Sequence, residues 1–279
     1  MKSQKLIRNV VMPAGVVAAA AAGVSQMPAV KELVRAPREV FNDPSFTPTM
    51  ETPVLFVHGI NARRTGFVAN AQNLRSRGYW VWAFDYGKMH FPLLYGAGDL
   101  DALVAELAAN VDEVLRVTGA NKVDLVAHSQ GGHLAKLYIA SGGAEKVRRL
   151  VAMGAVFHGT DVSGLGSRFA GFIKRHPQLA ERIASPSAIQ QLTGSKWLQD
   201  RGDIPDTDPR VVYTTLYSTR DRMATPHSTS ILRSVDGADV ANVEIPGAPS
   251  HAVMPHDREI AELTVWGLER ELGDVTPFA

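Results

Sequence analysis

Apolar positions along the chain recur with two alternating periods. Residues 54–57 are a continuous run of aliphatic and aromatic side chains closed by His58-Gly59, the pattern of a buried strand that ends in a turn. Residues 67–77 carry helical spacing and stop at Gly78, and 79–84 return to strand character before Asp85-Tyr86-Gly87. Leu100, Leu103, Val104, Leu107, Val111, Val114 and Leu115 predict a helix over 100–117, ended by Gly119. A strand over 123–127 runs into Ser129 and a helix from Gly131 to about Ala140 that presents Leu134, Leu137 and Tyr138. Strands are predicted again over 147–153, 211–217 and 240–245, and an amphipathic helix over 260–272 closes the chain. Strands alternating with helices predict an α/β domain whose mostly parallel sheet is covered by helices on both faces.

One interval breaks the alternation. Between 157 and 208 lie roughly fifty residues without a clear buried strand, far longer than an ordinary connection, which predicts an inserted lid or small cap. Leu165, Phe169, Phe172 and Ile173 share one side at helical spacing there, and Ile183, Ile189, Leu192, Trp197 and Leu198 continue the apolar supply. The alternative is that these faces simply pack on the core.

The start of the chain is different again. Lys2, Lys5 and Arg8 precede an uncharged run over 10–24, with small residues at Gly23 and Ser25. A basic segment, an apolar segment of roughly fifteen residues and small residues behind them match a secretory signal over 1–25. The run is short of the about twenty apolar residues of a membrane span. A secreted or cell-envelope location is expected, the alternative being an Ala-rich tail. Residues 26–52 read as an extended lead-in, with prolines at 37, 44 and 48 and another at 53, leaving 53–279 as the folded domain.

Composition narrows the chemistry. Of 279 residues, 45% are hydrophobic and 20% charged, as in ordinary globular proteins, and 29 basic against 28 acidic residues give no electrostatic case for a nucleic-acid partner. The absence of cysteine removes thiolate nucleophiles, zinc–thiolate sites and disulfides together. No cofactor is expected. Asp203, Asp206 and Asp208 offer oxygen ligands to calcium, but a solvated acidic loop is the commoner explanation of such a cluster.

The candidate chemistry centres on Ser129. A serine at the apex of a strand–turn–helix is held out from the backbone, where a base can reach its hydroxyl and a carbonyl can approach. A hydroxyl becomes a nucleophile only with an adjacent base, itself oriented by a third group. In open α/β sheets such partners lie at the carboxyl ends of later strands. Asp221 follows the strand over 211–217, and His251 follows the strand over 240–245.

These residues carry a resemblance. P-V-L-F-V-H-G at 53–59, F-D-Y-G at 84–87, T-G-A-N-K-V-D-L-V-A-H-S-Q-G-G at 118–132, and the Asp221 and His251 segments resemble the α/β-hydrolase superfamily, and within it the compact bacterial lipases. The usual elbow is G-x-S-x-G; this chain has Ala127 in the first position, as do some similar lipases. The resemblance implies an α/β-hydrolase fold and a catalytic triad of Ser129, Asp221 and His251, in the chain order this superfamily uses. It also implies an oxyanion hole from the backbone N–H groups of Ile60 and Gln130. His256 and His227 compete with His251, which is preferred as the first histidine after the last strand. Asp203, Asp206 and Asp208 compete with Asp221 but precede its strand. His58 is expected to support the oxyanion loop, His128 to be structural with its side chain turned away from the side Ser129 uses, and Asp85 to be a strand-end cap or buried acceptor.

The expected activity is hydrolysis of acylglycerols or other long-chain esters through an acyl-enzyme. Acyl transfer by the same intermediate and short-chain esterase activity are the alternatives. A non-catalytic lipid-binding relative would usually have a damaged triad, and here all three positions are filled. The expected partners are an ester lipid and, transiently, a lipid–water interface, with oligomeric state left open.

Overall fold

The computed structural model describes residues 40–88 and 95–278. The secretory-signal reading over 1–25 and the lead-in before residue 40 lie outside the described residues. The short apolar runs become strands β1 (Val54–Val57), β2 (Val81–Ala83), β3 (Val123–His128), β4 (Val147–Met153), β5 (Val212–Tyr217) and β6 (Val240–Glu244). They form one six-stranded sheet in the order β2-β1-β3-β4-β5-β6, with every pair parallel. This is the mostly parallel sheet with helices on both faces that the alternation predicts.

Successive strand residues point to opposite faces, so continuous apolar runs bury both. Leu55, Val57, Leu125, Ala127, Leu150 and Ala152 pack under helices α2 (Leu100–Thr118) and α3 (Gln130–Ala140). Val54, Phe56, Val126, Val151 and Met153 pack under α1 (Val68–Ser76) and a C-terminal helix at Arg258–Glu269. The helix ends follow local chemistry. Asp99 caps α2 by accepting from the amides of Asp101 and Ala102, and Gly119 stops it at φ 72°.

The interval between β4 and β5 holds four short helices, α4 (Leu165–Arg175), α5 (Pro177–Ala184), α6 (Pro186–Gln190) and α7 (Lys196–Gln199). The C-terminal helix is therefore α8 (Arg258–Glu269). It ends earlier than its apolar spacing predicts because Arg270 turns inward. That guanidinium donates 3.0 Å to Thr214 Oγ1 and 2.9 Å to the Tyr213 carbonyl, tying the chain end to β5. Residues 40–52 run beside the sheet edge: the Asn42 side chain bonds both backbone groups of Ala83 in β2, at 3.0 and 2.8 Å. No helix among the described residues is long and apolar enough to cross a membrane.

Candidate active site

A parallel sheet brings the carboxyl ends of all its strands to one edge. The turn His58-Gly59-Ile60 follows β1, Ser129 follows β3, Gly154 follows β4, Asp221 follows β5 and His251 follows β6, so residues far apart in sequence meet there.

Ser129 stands between β3 and α3 with φ 55° and ψ −125°, a region that residues with a Cβ rarely occupy. Two hydrogen bonds hold it: its amide donates 3.0 Å to the Met153 carbonyl of β4, and its carbonyl accepts from Gly132 N–H at 3.0 Å. The neighbours leave no room for larger residues. A Cβ on Gly131 would lie 2.2 Å from the Val57 carbonyl, and one on Gly59 would lie 3.0 Å from Ser129 Cβ. Small residues are therefore required after the serine and in the β1 turn. Ala127, where the usual motif has glycine, is fully buried among the apolar residues beneath α2 and α3.

His251 and Asp221 are joined directly. The His251 ring donates from Nδ1 to Asp221 Oδ2 at 2.6 Å, a bond that assigns the proton to Nδ1 and leaves Nε2 as the basic nitrogen. Asp221 Oδ1 in turn accepts from the amides of Met223 and Ala224 at 2.7 and 2.9 Å, which fixes the carboxylate. Ser218 Oγ donates 2.7 Å to the Pro249 carbonyl and so laces the two loops together. Gly154 passes alongside: a Cβ there would sit 3.2 Å from both Asp221 Oδ2 and His251 Nδ1. The Ser129 side chain caps no helix amide and forms no hydrogen bond to His251.

Of the two residues predicted to supply an oxyanion hole, one lies next to Ser129 and the other next to a residue that touches it. Gln130 is the first residue of α3, so its N–H has no carbonyl one turn earlier to bond, and the helix dipole favours negative charge there. Ile60 lies one residue beyond Gly59, which touches Ser129.

The other histidines take separate places. His58 stacks on Tyr86 at 4.2 Å and donates from Nδ1 to the Gly59 carbonyl at 2.8 Å, bracing the β1 turn. Burial holds it neutral, pushing its pKa down to about 4. His256 packs beside Gly66, and the exposed His227 stacks on Tyr217. Asp85 accepts from the Arg64 amide at 2.8 Å, as a strand-end acceptor should. Asp206 is buried and bonded by Lys136 and Arg233, at 2.8 Å each, and Asp208 is paired with Arg210. Burial alone would raise the Asp206 pKa; those two cations hold it well below the ordinary carboxylate range.

Two side-chain contacts at this edge were not foreseen from the sequence. His128 donates from Nε2 to the His251 carbonyl at 3.0 Å, with the two rings 4.6 Å apart, so its side chain braces the histidine loop. Burial first, and the neighbouring His251 second, push its pKa well down and keep it neutral. The Gln130 side chain donates 2.7 Å to the Gly96 carbonyl and accepts 2.7 Å from Gln191 Nε2, binding the elbow to the inserted helices. The sequence pointed to the Gln130 backbone amide and gave no signal for its side chain or for Gln191.

Known proteins share this arrangement of chain. The family model for Lipase (class 2) matches residues 51–247. The fold is that of lipase BlEst2 of Bacillus licheniformis in its mature form, with a TM-score of 0.57 at 19% identity over 80% of this chain and 93% of that one. It is also that of the esterase EaEST of Exiguobacterium antarcticum, with a TM-score of 0.54 at 18% identity over 77% of this chain and 90% of that one. With a family match that spans the β1 turn, the serine elbow and the Asp221 loop, the chain belongs to the class 2 lipase family and is a carboxylic ester hydrolase of the α/β-hydrolase fold.

Proposed function

We propose that this hydrolase cleaves long-chain carboxylic esters, acylglycerols foremost, through an acyl-enzyme on Ser129. Its Oγ attacks the ester carbonyl as His251 Nε2 takes the hydroxyl proton, and the oxyanion is held by the amides of Ile60 and Gln130. The tetrahedral intermediate collapses, the C–O bond to the alcohol breaks, and His251 returns the proton to the departing oxygen. Water then attacks the acyl-serine with His251 again as base, releasing the acid and restoring the serine hydroxyl. Asp221 keeps the imidazole in the required tautomer and stabilises its protonated form. The observation that carries this reading is the 2.6 Å bond from His251 Nδ1 to Asp221 Oδ2, beside a serine on a strained elbow. The Ser129–His251 contact is assigned to the substrate complex, since catalytic hydrogen bonds often tighten only there.

Turnover of p-nitrophenyl esters of graded chain length tests the roles. Ser129→Ala should lower kcat by about a million-fold, and Asp221→Asn by about ten-thousand-fold with the fold intact. A Ser129→Ala enzyme that keeps wild-type turnover would end the assignment. Long acyl chains are favoured by the half-buried apolar side chains of the inserted helices, among them Phe169, Phe172 and Ile183. A profile that collapses onto acetate and butyrate esters would instead mark a short-chain esterase. Hydrolysis is preferred to acyl transfer because the family is one of lipases; product analysis with added lipid alcohols separates them.

All the charge in these steps moves through protein groups, so the reaction is proposed to need no cofactor. Chelation by EDTA should leave turnover unchanged, and a loss restored by calcium would bring Asp203, Asp206 and Asp208 back into question. Residues 1–25 are proposed as an export signal, which N-terminal sequencing of the mature protein would test.

A further inference from the structure

The interval between β4 and β5 is fastened to the edge of the site at both ends. At its start, the Ser163 amide donates 2.7 Å to Thr225 Oγ1 and Ser163 Oγ donates 2.9 Å to the Arg222 carbonyl, just beyond Asp221. At its return, the Ser187 amide donates 2.7 Å to the Gly98 carbonyl, and Gln191 bonds Gln130. Between these fastenings α4 and α5 form a hairpin, packed on each other and on α6.

This hairpin leaves its greasy side unfinished. No residue of α4 is buried, and in α5 only Ala180 is. At 3.6 residues per turn, Leu165, Phe169, Phe172 and Ile173 form one stripe of α4, with Arg168 and Arg175, seven residues apart, along its edge. All four side chains of the stripe stay partly exposed, and Leu179 of α5 is 46% exposed.

The charges are equally one-sided. Arg168, Lys174, Arg175 and Arg182 are all exposed, and Glu181 is the only acid between 165 and 184. None of these four cations enters an ion pair among the described residues. Several exposed bases elsewhere are matched, as Lys196 is with Asp200, Arg116 with Glu113 and Lys146 with Asp112, while Lys88, Arg220, Arg222 and Arg258 are exposed without an ion pair among the described residues. What sets the hairpin apart is four such bases within fifteen residues beside an apolar stripe. A local cationic excess in a chain of net charge +1 raises the potential of this face and attracts anions to it. Bases flanking an apolar stripe suit the boundary of a lipid surface, where the stripe enters the acyl region and the bases meet phosphate. A second copy of this chain would set like charges against each other.

We infer that the α4–α5 hairpin is a docking surface for an anionic lipid–water interface, which it meets at the edge of the proposed ester-cleaving site. The inference rests on the proposed lipase function only for its purpose, and its test needs no turnover. The full chain carrying Ser129→Ala is sedimented with vesicles of phosphatidylcholine alone, or of phosphatidylcholine and phosphatidylglycerol in equal parts, at low and high salt. Binding should be at least about tenfold tighter to the anionic vesicles and should weaken with salt.

Adding Arg168→Glu, Lys174→Glu, Arg175→Glu and Arg182→Glu together should remove that preference. In the Ser129 enzyme the same four changes should leave p-nitrophenyl butyrate turnover unaltered. The milder pair Arg168→Gln and Arg175→Gln should lie between, and serves if the fourfold variant does not fold. Equal binding to both vesicle types, or anionic binding untouched by charge reversal in a folded variant, would overturn the inference. So would a concentration-dependent dimer abolished by Phe172→Ser, which would mean that a second copy covers the stripe. Absent turnover of soluble esters by the parent enzyme would sink the hydrolytic reading and leave the vesicle result standing.

Discussion

His128 turns a residue beside the proposed nucleophile into a brace for the proposed base. Its Nε2–H bond of 3.0 Å to the His251 carbonyl fixes the loop that carries the imidazole, and the His128 ring, tilted 43° to it at 4.6 Å, packs against that imidazole. A misplacement of about 1 Å can cost about a hundredfold in rate. His128→Ala should therefore lower kcat by about tenfold to a hundredfold with little change in KM, and His128→Asn, which keeps a donor, should recover part of the loss. A change confined to KM would mean that His128 serves substrate binding instead. The sequence reading had this side chain turned away from the serine's side; what it lacked was the loop that arrives from 123 residues further along.

At the scale of elements, the inserted helices are joined to the elbow by a buried chain of amides. Gln191 Nε2 donates 2.7 Å to Gln130 Oε1 and 3.0 Å to the Ser187 carbonyl, and Gln130 Nε2 donates to Gly96. Gln191→Leu would leave Gln130 Oε1 buried without that donor, a loss of about 1–3 kcal/mol. Urea unfolding should show the decrease, and no change in midpoint would mean that the helices are held elsewhere. The strands and long helices were legible in the sequence because a buried parallel strand reads as a short apolar run and a covering helix as a three-four repeat. Within the insertion only the spacing of α4 was legible: α6 and α7 run only over Pro186–Gln190 and Lys196–Gln199, too short for a period to emerge. Their caps at Ser185 and Ser195 depend on local hydrogen bonds that composition does not advertise.

The whole molecule should be sensitive to acid. Burial holds His58 at a pKa of about 4 and His133 at about 3, and drives His128 well below its ordinary value. In the unfolded chain each returns to about 6.5. As pH falls from 6.5 towards 4, the unfolded state binds protons that the native state refuses, so stability is lost with acidification and is fully present above about pH 7. Each such histidine contributes at most about 1.4 kcal/mol per pH unit across that window. Thermal melts at pH 8, about the top of the plateau, and at steps down to about 4 should show Tm falling continuously below about 6.5. A flat Tm would mean that these rings are protonated in the native protein.

The sequence by itself determined the alternation of strands and helices, the small residues required around Ser129, and the chain order of serine, acid and histidine. These depend on near neighbours, whose spacing sets periodicity and backbone strain. Only the tertiary structure decided what meets what. Sheet order brought His251 to 2.6 Å from Asp221, set His128 against the His251 loop, occupied Asp206 with Lys136 and Arg233, and left the α4–α5 hairpin with its apolar stripe open. Those contacts span from 27 to 123 residues of chain. They are set by strand register and by how much surface the core can cover, and neither quantity is written in any local pattern.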